Sequence, residues 1–530
     1  MKSNQQTMMK LFSILYFKSD IVLKNAVLLM GILTTGFILF SSTINSSATG
    51  QPDERPNLIL IIADDMAWDD CGACGHPHIQ TPNLDKLADE GMMFHQGFIT
   101  TSSCSPSRSS MITGMYPHQT DAEQLHWEVP EEKVTFVEKL REAGYWTGQA
   151  GKWHLGDHLM NRFDILAEQS TDELRQSVGE LPEPDGSGSH LWVPLLEHRP
   201  DDKPFFLWLA AVDPHRGFEE DIISNPHTPD DVVLPPYVPD SDQVRRDYAL
   251  YYDEVSRLDE YVGSVVETLE RQGVSDNTLI LFISDNGRPF PRDKTTLYDS
   301  GIKSPWIVKW PSGIEAGTQT QSLVSSVDIG NTFLSLAGAH PLEGSPGVDF
   351  SPVLEDPGKE VRERIYGQAH WHDHENFVRA IRDNRFKYIR TFFNELPLTP
   401  PADALNGGTF AEIREQEKKG TLDERQRAYY FEPRPAEELY DVKNDPHEIN
   451  NLADDPAYRD ELVRLRSELL EFMESQNDGV PRLRTPDEFH RVSGASLPNN
   501  HLPRAPKKEM FGDCADCIYL PPAGFFEDIP

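Results

Sequence analysis

The sequence predicts an α/β fold with a central, mostly parallel sheet, followed by a smaller C-terminal α+β domain with an antiparallel sheet. Three observations carry this. Short, continuously apolar runs end abruptly in polar clusters, helix-period stretches lie between them, and after about Tyr366 the texture changes to short strands joined by turns.

The apolar runs come in order. Leu58 to Ile62 leads into Asp64-Asp65, and Tyr145 to Ala150 into Gly151-Lys152-Trp153-His154. Phe205 to Val212 leads into Asp213-Pro214-His215-Arg216, and Leu279 to Ile283 into Asp285-Asn286-Gly287. Runs of this length, rich in Leu, Ile, Phe and Trp, read as strands buried on both faces. The clearest helix runs from Val244 to Arg271, where Tyr248, Tyr251, Val255, Leu258, Val262, Val265 and Leu269 keep one face apolar. Further on, Phe377 to Arg390 reads as two strands around a turn at Asp383-Asn384, Glu438 to Asp441 as a strand end, and Leu462, Leu465, Leu469 and Phe472 as one side of a helix. From Asp478 onward proline and glycine become frequent and periodicity fades, the signature of an extended tail. The expected division is a leader over 1–50, a catalytic α/β domain over 51–370, an α+β subdomain over 371–478 and the tail over 479–530.

The leader reads as an export signal. Lys2, Lys10, Lys18 and Lys24 precede an apolar run from Ala26 to Phe40, and small polar residues follow to Ala48. The run is short for a spanning helix, so no stable membrane insertion is expected and the destination is a periplasm or the exterior, with an uncleaved membrane anchor as the alternative. With 86 acidic against 49 basic residues the net charge is −37, which excludes a nucleic-acid partner and leaves any anion site as a local positive island. Hydrophobic content of 38% fits a globular chain. Of the five cysteines, Cys514 and Cys517 read as a local disulfide in an oxidising compartment, Cys71 and Cys74 are left open, and Cys104 is the odd thiol.

Each polar cluster follows a strand, so all gather at the carboxyl edge of the sheet, where open α/β sheets hold their ligands. Asp64, Asp65, Asp285 and Asn286 put four oxygen donors on two strand ends, a hard set suited to calcium or magnesium. Adjacent aspartates alone usually mark a solvated turn, but carboxylates after buried strands are costly without a cation. Lys152 and His154 alternate around Trp153 and could face one side of an extended segment. His215 follows a stiff Asp213-Pro214 turn, and Lys294 lies nine residues beyond Asp285. Gln368 to His374, with three histidines and Trp371, reads as a surface loop, with a sugar subsite as the alternative.

The densest signal is Cys104-Ser105-Pro106-Ser107-Arg108, placed where a loop enters a helix. A helix N-terminus favours an anion, and the Arg108 fork fits a tetrahedral oxyanion. The string, extended to Ser109-Ser110-Met111-Ile112-Thr113-Gly114, resembles the Cys-x-Pro-x-Arg signature of the type I sulfatases. The resemblance covers roughly Arg55 to Ala453 and includes Glu438-Leu439-Tyr440-Asp441 and the Asp445 to Ala453 string. It implies an alkaline-phosphatase-like sandwich, one Ca2+ held by Asp64, Asp65, Asp285, Asn286 and residue 104, and conversion of Cys104 to formylglycine (3-oxoalanine) by a maturation enzyme. By the same resemblance Arg108, Lys152 and Lys294 hold sulfate oxygens, His215 protonates the leaving atom and His154 accepts a proton from the nucleophile's second hydroxyl. The implied partner is a sulfated oligo- or polysaccharide.

Asp213 to Arg216, Ser284 to Pro291 and Leu234 to Pro239 look most like the sulfamidase branch, which removes N-linked sulfate. Lys294 departs from that branch, which has arginine there, and is the residue common in O-sulfatases; the two are not equivalent at an oxyanion. A sulfamidase-like activity or a polysaccharide O-sulfatase is therefore expected. The alternatives are a phosphate or phosphonate monoester hydrolase of the same superfamily and an unmatured glycan-binding protein.

Overall fold

The computed structural model describes residues 55–482, 484–498 and 519–526; the expected leader and the Cys514–Cys517 pair lie outside them. In chain order the strands are β1 (Asn57–Ala63), β2 (Met92–Phe94), β3 (Gly97–Phe98), β4 (Trp146–Gly151), β5 (Ile165–Leu166), β6 (Phe205–Ala210), β7 (Thr278–Ser284), β8 (Ile307–Lys309), β9 (Thr318–Thr320) and β10 (Val324–Ser325). They are followed by β11 (Ile365–Ala369), β12 (Val378–Arg382), β13 (Phe386–Thr391), β14 (Glu437–Asp441), β15 (Val480–Pro481) and β16 (Tyr519–Leu520).

The main sheet runs β5-β4-β6-β1-β7-β8-β2-β9. The four long apolar runs form its parallel centre, with β1 between β6 and β7 and β4 outside β6. The short strand β8 pairs antiparallel with both β7 and β2. Alternation explains why these runs are apolar throughout. Leu58, Leu60, Ile62, Phe206, Trp208, Leu281 and Ile283 enter one core, whereas Ile59, Ile61, Leu207, Leu209, Ile280 and Phe282 enter the other. The second core is closed by the long helix α1 (Asp242–Gln272), one turn-fraction longer at each end than its periodicity predicts. Ser241 caps its start by accepting from Val244 N, and Gly273 ends it at φ 70°. All seven predicted face residues of α1 are buried.

The second, antiparallel sheet runs β11-β12-β13-β14. Ile381, Tyr388 and Leu439 pack on Leu462, Leu465, Leu469 and Met473 of α2 (Arg459–Ser475). The helix has turned slightly from the predicted face, since Met473 is buried where Phe472 is half-buried.

Two expectations need correction. Gln368 to His374 is no surface loop: Gln368, His370, Trp371, His372 and His374 are all buried. The reason lies in the tail, which folds back over it. Trp371 Nε1 donates to Pro486 O at 3.0 Å, Thr485 N to Glu375 Oε2 at 2.6 Å and Glu488 N to Asp373 O at 2.8 Å. Part of the tail is also ordered by pairing, as β15 joins β16 antiparallel. The open question at Cys71 and Cys74 closes as a disulfide. Among the described residues no helix is long and apolar enough to cross a membrane.

Candidate active site

Register brings the strand ends to one rim. Ala63 of β1 lies beside Ser284 of β7, Ile62 beside Ala210 of β6, and Ala210 beside Gly151 of β4. The ladder continues one step beyond the strands: Asp285 N donates to Ala63 O at 3.0 Å, Asp64 N to Asp213 O at 2.9 Å and Lys152 N to Ala210 O at 2.8 Å. The chemistry-bearing residues are therefore fixed at the backbone before any side chain acts.

Cys104 begins a helix, Cys104–Thr113, that is buried along its whole length despite its serines. Burial is tolerable because most of the hydroxyls are satisfied locally, Ser107 Oγ being the exception. Ser109 and Thr113 donate to the carbonyls of Ser105 and Ser109 at 2.7 and 2.6 Å, and Ser105 Oγ accepts from His126 N at 2.8 Å. Gly114 ends the helix at φ 63°. The N-terminus points Cys104 at the carboxylates, with Sγ 3.8 Å from Asp65 Oδ1. Burial pushes the thiol well above its ordinary range, so an unmodified Cys104 is protonated and a poor nucleophile.

Asp64, Asp65, Cys104 and Asp285 offer ligand atoms within 4.8 Å of one another. Asp65 takes a left-handed φ of 74°, a conformation aspartate tolerates better than most residues, and its N–H donates to Asp285 Oδ1 at 3.2 Å. Asn286 Nδ2 donates to Asp65 Oδ1. Two oxygens in this cluster, Asp64 Oδ1 and Asn286 Oδ1, are buried and accept no hydrogen bond, Asp64 Oδ1 having only Arg108 Nη2 at 3.8 Å. Orphaned oxygens of this kind cost free energy unless something cationic meets them. The residues present thus fit a hard divalent cation, and Asp64, Asp65, Asp285 and Asn286 would hold it. The electrostatics agree: burial and the neighbouring Asp64 push the Asp285 carboxyl up to about 7, a penalty a cation would relieve.

Cations ring the cluster. Arg108 donates Nε to Asp285 Oδ2 at 2.8 Å and Nη1 to Lys152 O at 3.1 Å, with Nη2 in ion-pair contact 2.7 Å from the same Asp285 oxygen. Lys152 Nζ pairs with Asp64. Lys294 Nζ lies 2.7 Å from Asp65 Oδ2 and 3.4 Å from Asp403 Oδ2. Burial opposes the charge on Lys294, but Asp403 and Asp65 outweigh it and hold its pKa well above the ordinary value. His215 Nε2 sits 3.8 Å from Asp65 Oδ2 and 3.5 Å from Asp403 Oδ2, while Nδ1 faces Arg216 O at 2.8 Å.

His154 is placed differently from the expectation. The strand ends at Gly151 and the chain turns at His154, φ 57°, so Lys152 and His154 do not lie along one extended segment. His154 Nε2 instead meets His126 Nδ1 at 2.7 Å. Burial, then Lys152, His126 and Arg108, hold its pKa well below the ordinary imidazole value, so it is neutral and able to accept a proton.

The sequence reading had not found Asp403 or His126. Asp403 opens a short helix, α3 (Ala402–Leu405), in the excursion between β13 and β14, far from any strand end. His126 sits in an irregular loop at φ 66°. The only signal for either was residue type.

A mostly parallel α/β sheet whose rim gathers four carboxylates, three fixed cations and three histidines is the site of a hydrolase for an oxyanion ester. The "Sulfatase" family model matches residues 56–339, and that for "N-sulphoglucosamine sulphohydrolase, C-terminal" matches 290–398. The chain belongs to the sulfatase family. It is 31% identical over 466 residues to an ulvan-active sulfatase of Formosa agariphila, covering 78% of this chain and 74% of that one. To the human N-sulphoglucosamine sulphohydrolase it is 30% identical over 467 residues, covering 80% and 91%. The solved structure of BT4656 in complex with its substrate D-glucosamine-2-N,6-O-disulfate shares the fold, with a TM-score of 0.62, 21% identity and coverage of 80% and 98%. The fold is the alkaline-phosphatase-like sandwich of the sulfatases, the enzyme is a sulfuric ester hydrolase, and the chain falls in the sulfamidase-like branch.

Proposed function

We propose that this enzyme removes sulfate from a sulfated saccharide, using Cys104 matured to formylglycine by a dedicated maturation enzyme and a calcium ion in the carboxylate cluster. The hydrated aldehyde would supply the nucleophilic oxygen, and the ion would lower that oxygen's pKa and orient it. Arg108, Lys152 and Lys294 bind and orient the sulfate oxygens. His215 delivers a proton to the leaving atom, and neutral His154 accepts one from the nucleophile's side.

The observation that carries this reading is a charge count. Asp64, Asp65, Asp285 and Asp403 face Arg108, Lys152 and Lys294, one negative charge in excess. A divalent cation turns this into one positive charge, which matches a monoanionic sulfate ester or sulfamate better than a dianionic phosphate monoester. Relatives named for ulvan and for N-sulphoglucosamine support a sulfated sugar as substrate, either as a sulfamate or as a polysaccharide O-sulfate. The Lys2 to Ala48 pattern supports export to a periplasm or the exterior, where such polymers are met.

The test is sulfate release by the matured protein from N-sulfated glucosamine oligosaccharides and O-sulfated algal polysaccharide fragments, with Cys104→Ala as control. Release abolished by Cys104→Ala is expected. Absence of release from both panels, with the aldehyde at position 104 verified by peptide mass, would sink the reading in favour of a phosphate or phosphonate ester.

A further inference from the structure

We infer that Asp403 is a specificity-determining residue: its carboxylate accepts a hydrogen bond from the N–H of a sulfamate leaving group, so the site favours an N-sulfated amino sugar over an O-sulfate. This rests on the sulfated-saccharide reading above.

Asp403 differs from the other three site carboxylates. Asp64, Asp65 and Asp285 are fully buried, whereas the Asp403 side chain is 22% exposed, next to the 28% exposed His215. It therefore faces the mouth of the site, where the sugar enters. One of its oxygens is already committed, since Oδ1 accepts from Ala404 N at 2.6 Å. The other, Oδ2, points at Lys294 Nζ and His215 Nε2, at 3.4 and 3.5 Å. Lys294 has a closer partner in Asp65 at 2.7 Å, so Asp403 Oδ2 is its second, longer contact.

The position is built, not incidental. Arg216, next to His215, grips Asp247 of α1 through two 2.9 Å bonds, and Asp247 Oδ2 accepts from both Thr409 N and Thr409 Oγ1. At Gly407 a Cβ would fall 2.8 Å from the Arg216 guanidinium, so a larger residue there would have to shift Arg216. Ala402 N is tied to Asp373 Oδ2 at 2.8 Å. The loops bearing His215 and Asp403 are thereby locked to one another.

The chemistry at that point separates nitrogen from oxygen. In a sulfamate the S–N bond breaks with its electron pair left on nitrogen, sulfur takes an oxygen that derives from water, and His215 supplies a proton to the nitrogen. The amine then takes a second proton from solvent and becomes an ammonium beside Asp403. Nitrogen carries an N–H before the reaction and a positive charge after it, and a carboxylate favours both. A sulfate ester has no proton on its bridging oxygen and leaves as a neutral alcohol, so Asp403 offers it only a second acceptor.

The experiment compares kcat/KM for N-sulfated and O-sulfated glucosamine with the matured wild type, Asp403→Asn and Asp403→Ala. Glucosamine and N-acetylglucosamine serve as product inhibitors. Wild type is expected to prefer the N-sulfate. Asp403→Asn is expected to lower both values, but to cut the N-sulfate kcat/KM by about 10- to 100-fold more than the O-sulfate one, and should weaken inhibition by glucosamine but not by N-acetylglucosamine. Equal losses on both substrates would reduce Asp403 to a support for Lys294 and His215 and overturn the inference, as would a wild-type preference for O-sulfate. Failure of wild type to release any sulfate is a separate result and overturns the sulfatase substrate reading itself.

Discussion

Arg108 donates Nε to one carboxylate oxygen of Asp285 at 2.8 Å and holds Nη2 2.7 Å from the same oxygen, with both side chains shielded from water. A pair this deep serves stability only while it is complete, because either partner alone becomes an uncompensated buried charge. The same guanidinium also reaches Lys152 O, so it ties the helix of Cys104 to two strand ends at once.

Arg108→Gln and Arg108→Lys should therefore separate stability from catalysis. Gln strands Asp285 and is expected to cost roughly 3–5 kcal/mol, read as a clear drop in Tm. Lys keeps the charge and most of the stability but loses the fork, so kcat should fall by about 10²- to 10³-fold. If Lys lowers Tm as much as Gln, the fork is structural and this assignment fails.

The orphaned Asp64 Oδ1 and Asn286 Oδ1 make a prediction for the apo protein. Chelation should lower Tm and calcium should restore it, by an amount that grows with free ion and reaches about 2.7 kcal/mol at a hundredfold excess over Kd. Asp64→Asn should lose the calcium-dependent shift. A Tm indifferent to chelator in the wild type would remove the cation from the cluster.

Much of the rim was legible because parallel strands advertise themselves twice, as unbroken apolar runs and as abrupt polar ends. Asp64, Asp65, Lys152 and Asp285 each follow such an end, and register alone assembles them. Asp403 was not legible, since it arrives on a short helix whose place is set by Arg216, Asp247 and Thr409 far along the chain. The burial of Trp371 and His372 was hidden for a related reason. Residues 484–497 cover them through backbone-directed bonds that leave no periodic trace in the sequence.

Beneath His215, Arg257 bonds both oxygens of Asp213, at 2.8 and 2.7 Å, and Glu254 at 2.7 Å. Two buried carboxylates share one guanidinium. Burial and the adjacent Asp213 raise Glu254 from its ordinary 4.5 to about 8. Between those values the folded chain holds a proton that the unfolded chain has released, so stability falls as pH rises across the window and the loss is complete above it. Glu254→Gln should flatten that slope and leave the variant a few degrees more stable than wild type at pH 8. Parallel Tm–pH curves for the two proteins would refute a protonated Glu254 in the folded chain.

His154 makes the last prediction, through its contact with His126. A proton acceptor works only while unprotonated, so the acid limb of kcat/KM reports the pH at which His154 gains a proton. Burial, Lys152 and the imidazole of His126 at 2.7 Å all disfavour that proton. Activity should therefore persist well below the ordinary imidazole range, with the acid limb on the acidic side of 6.5. His126→Asn removes a like charge while sparing Arg108, Lys152 and Lys294, so it should shift the limb toward neutrality without abolishing turnover. The limb position, not KM, is the readout, because His126 is exposed beside the site and its loss can change sugar binding as well. A limb near 6.5 in both proteins would mean that His154 is not the group being titrated, and its role as acceptor would pass to another residue.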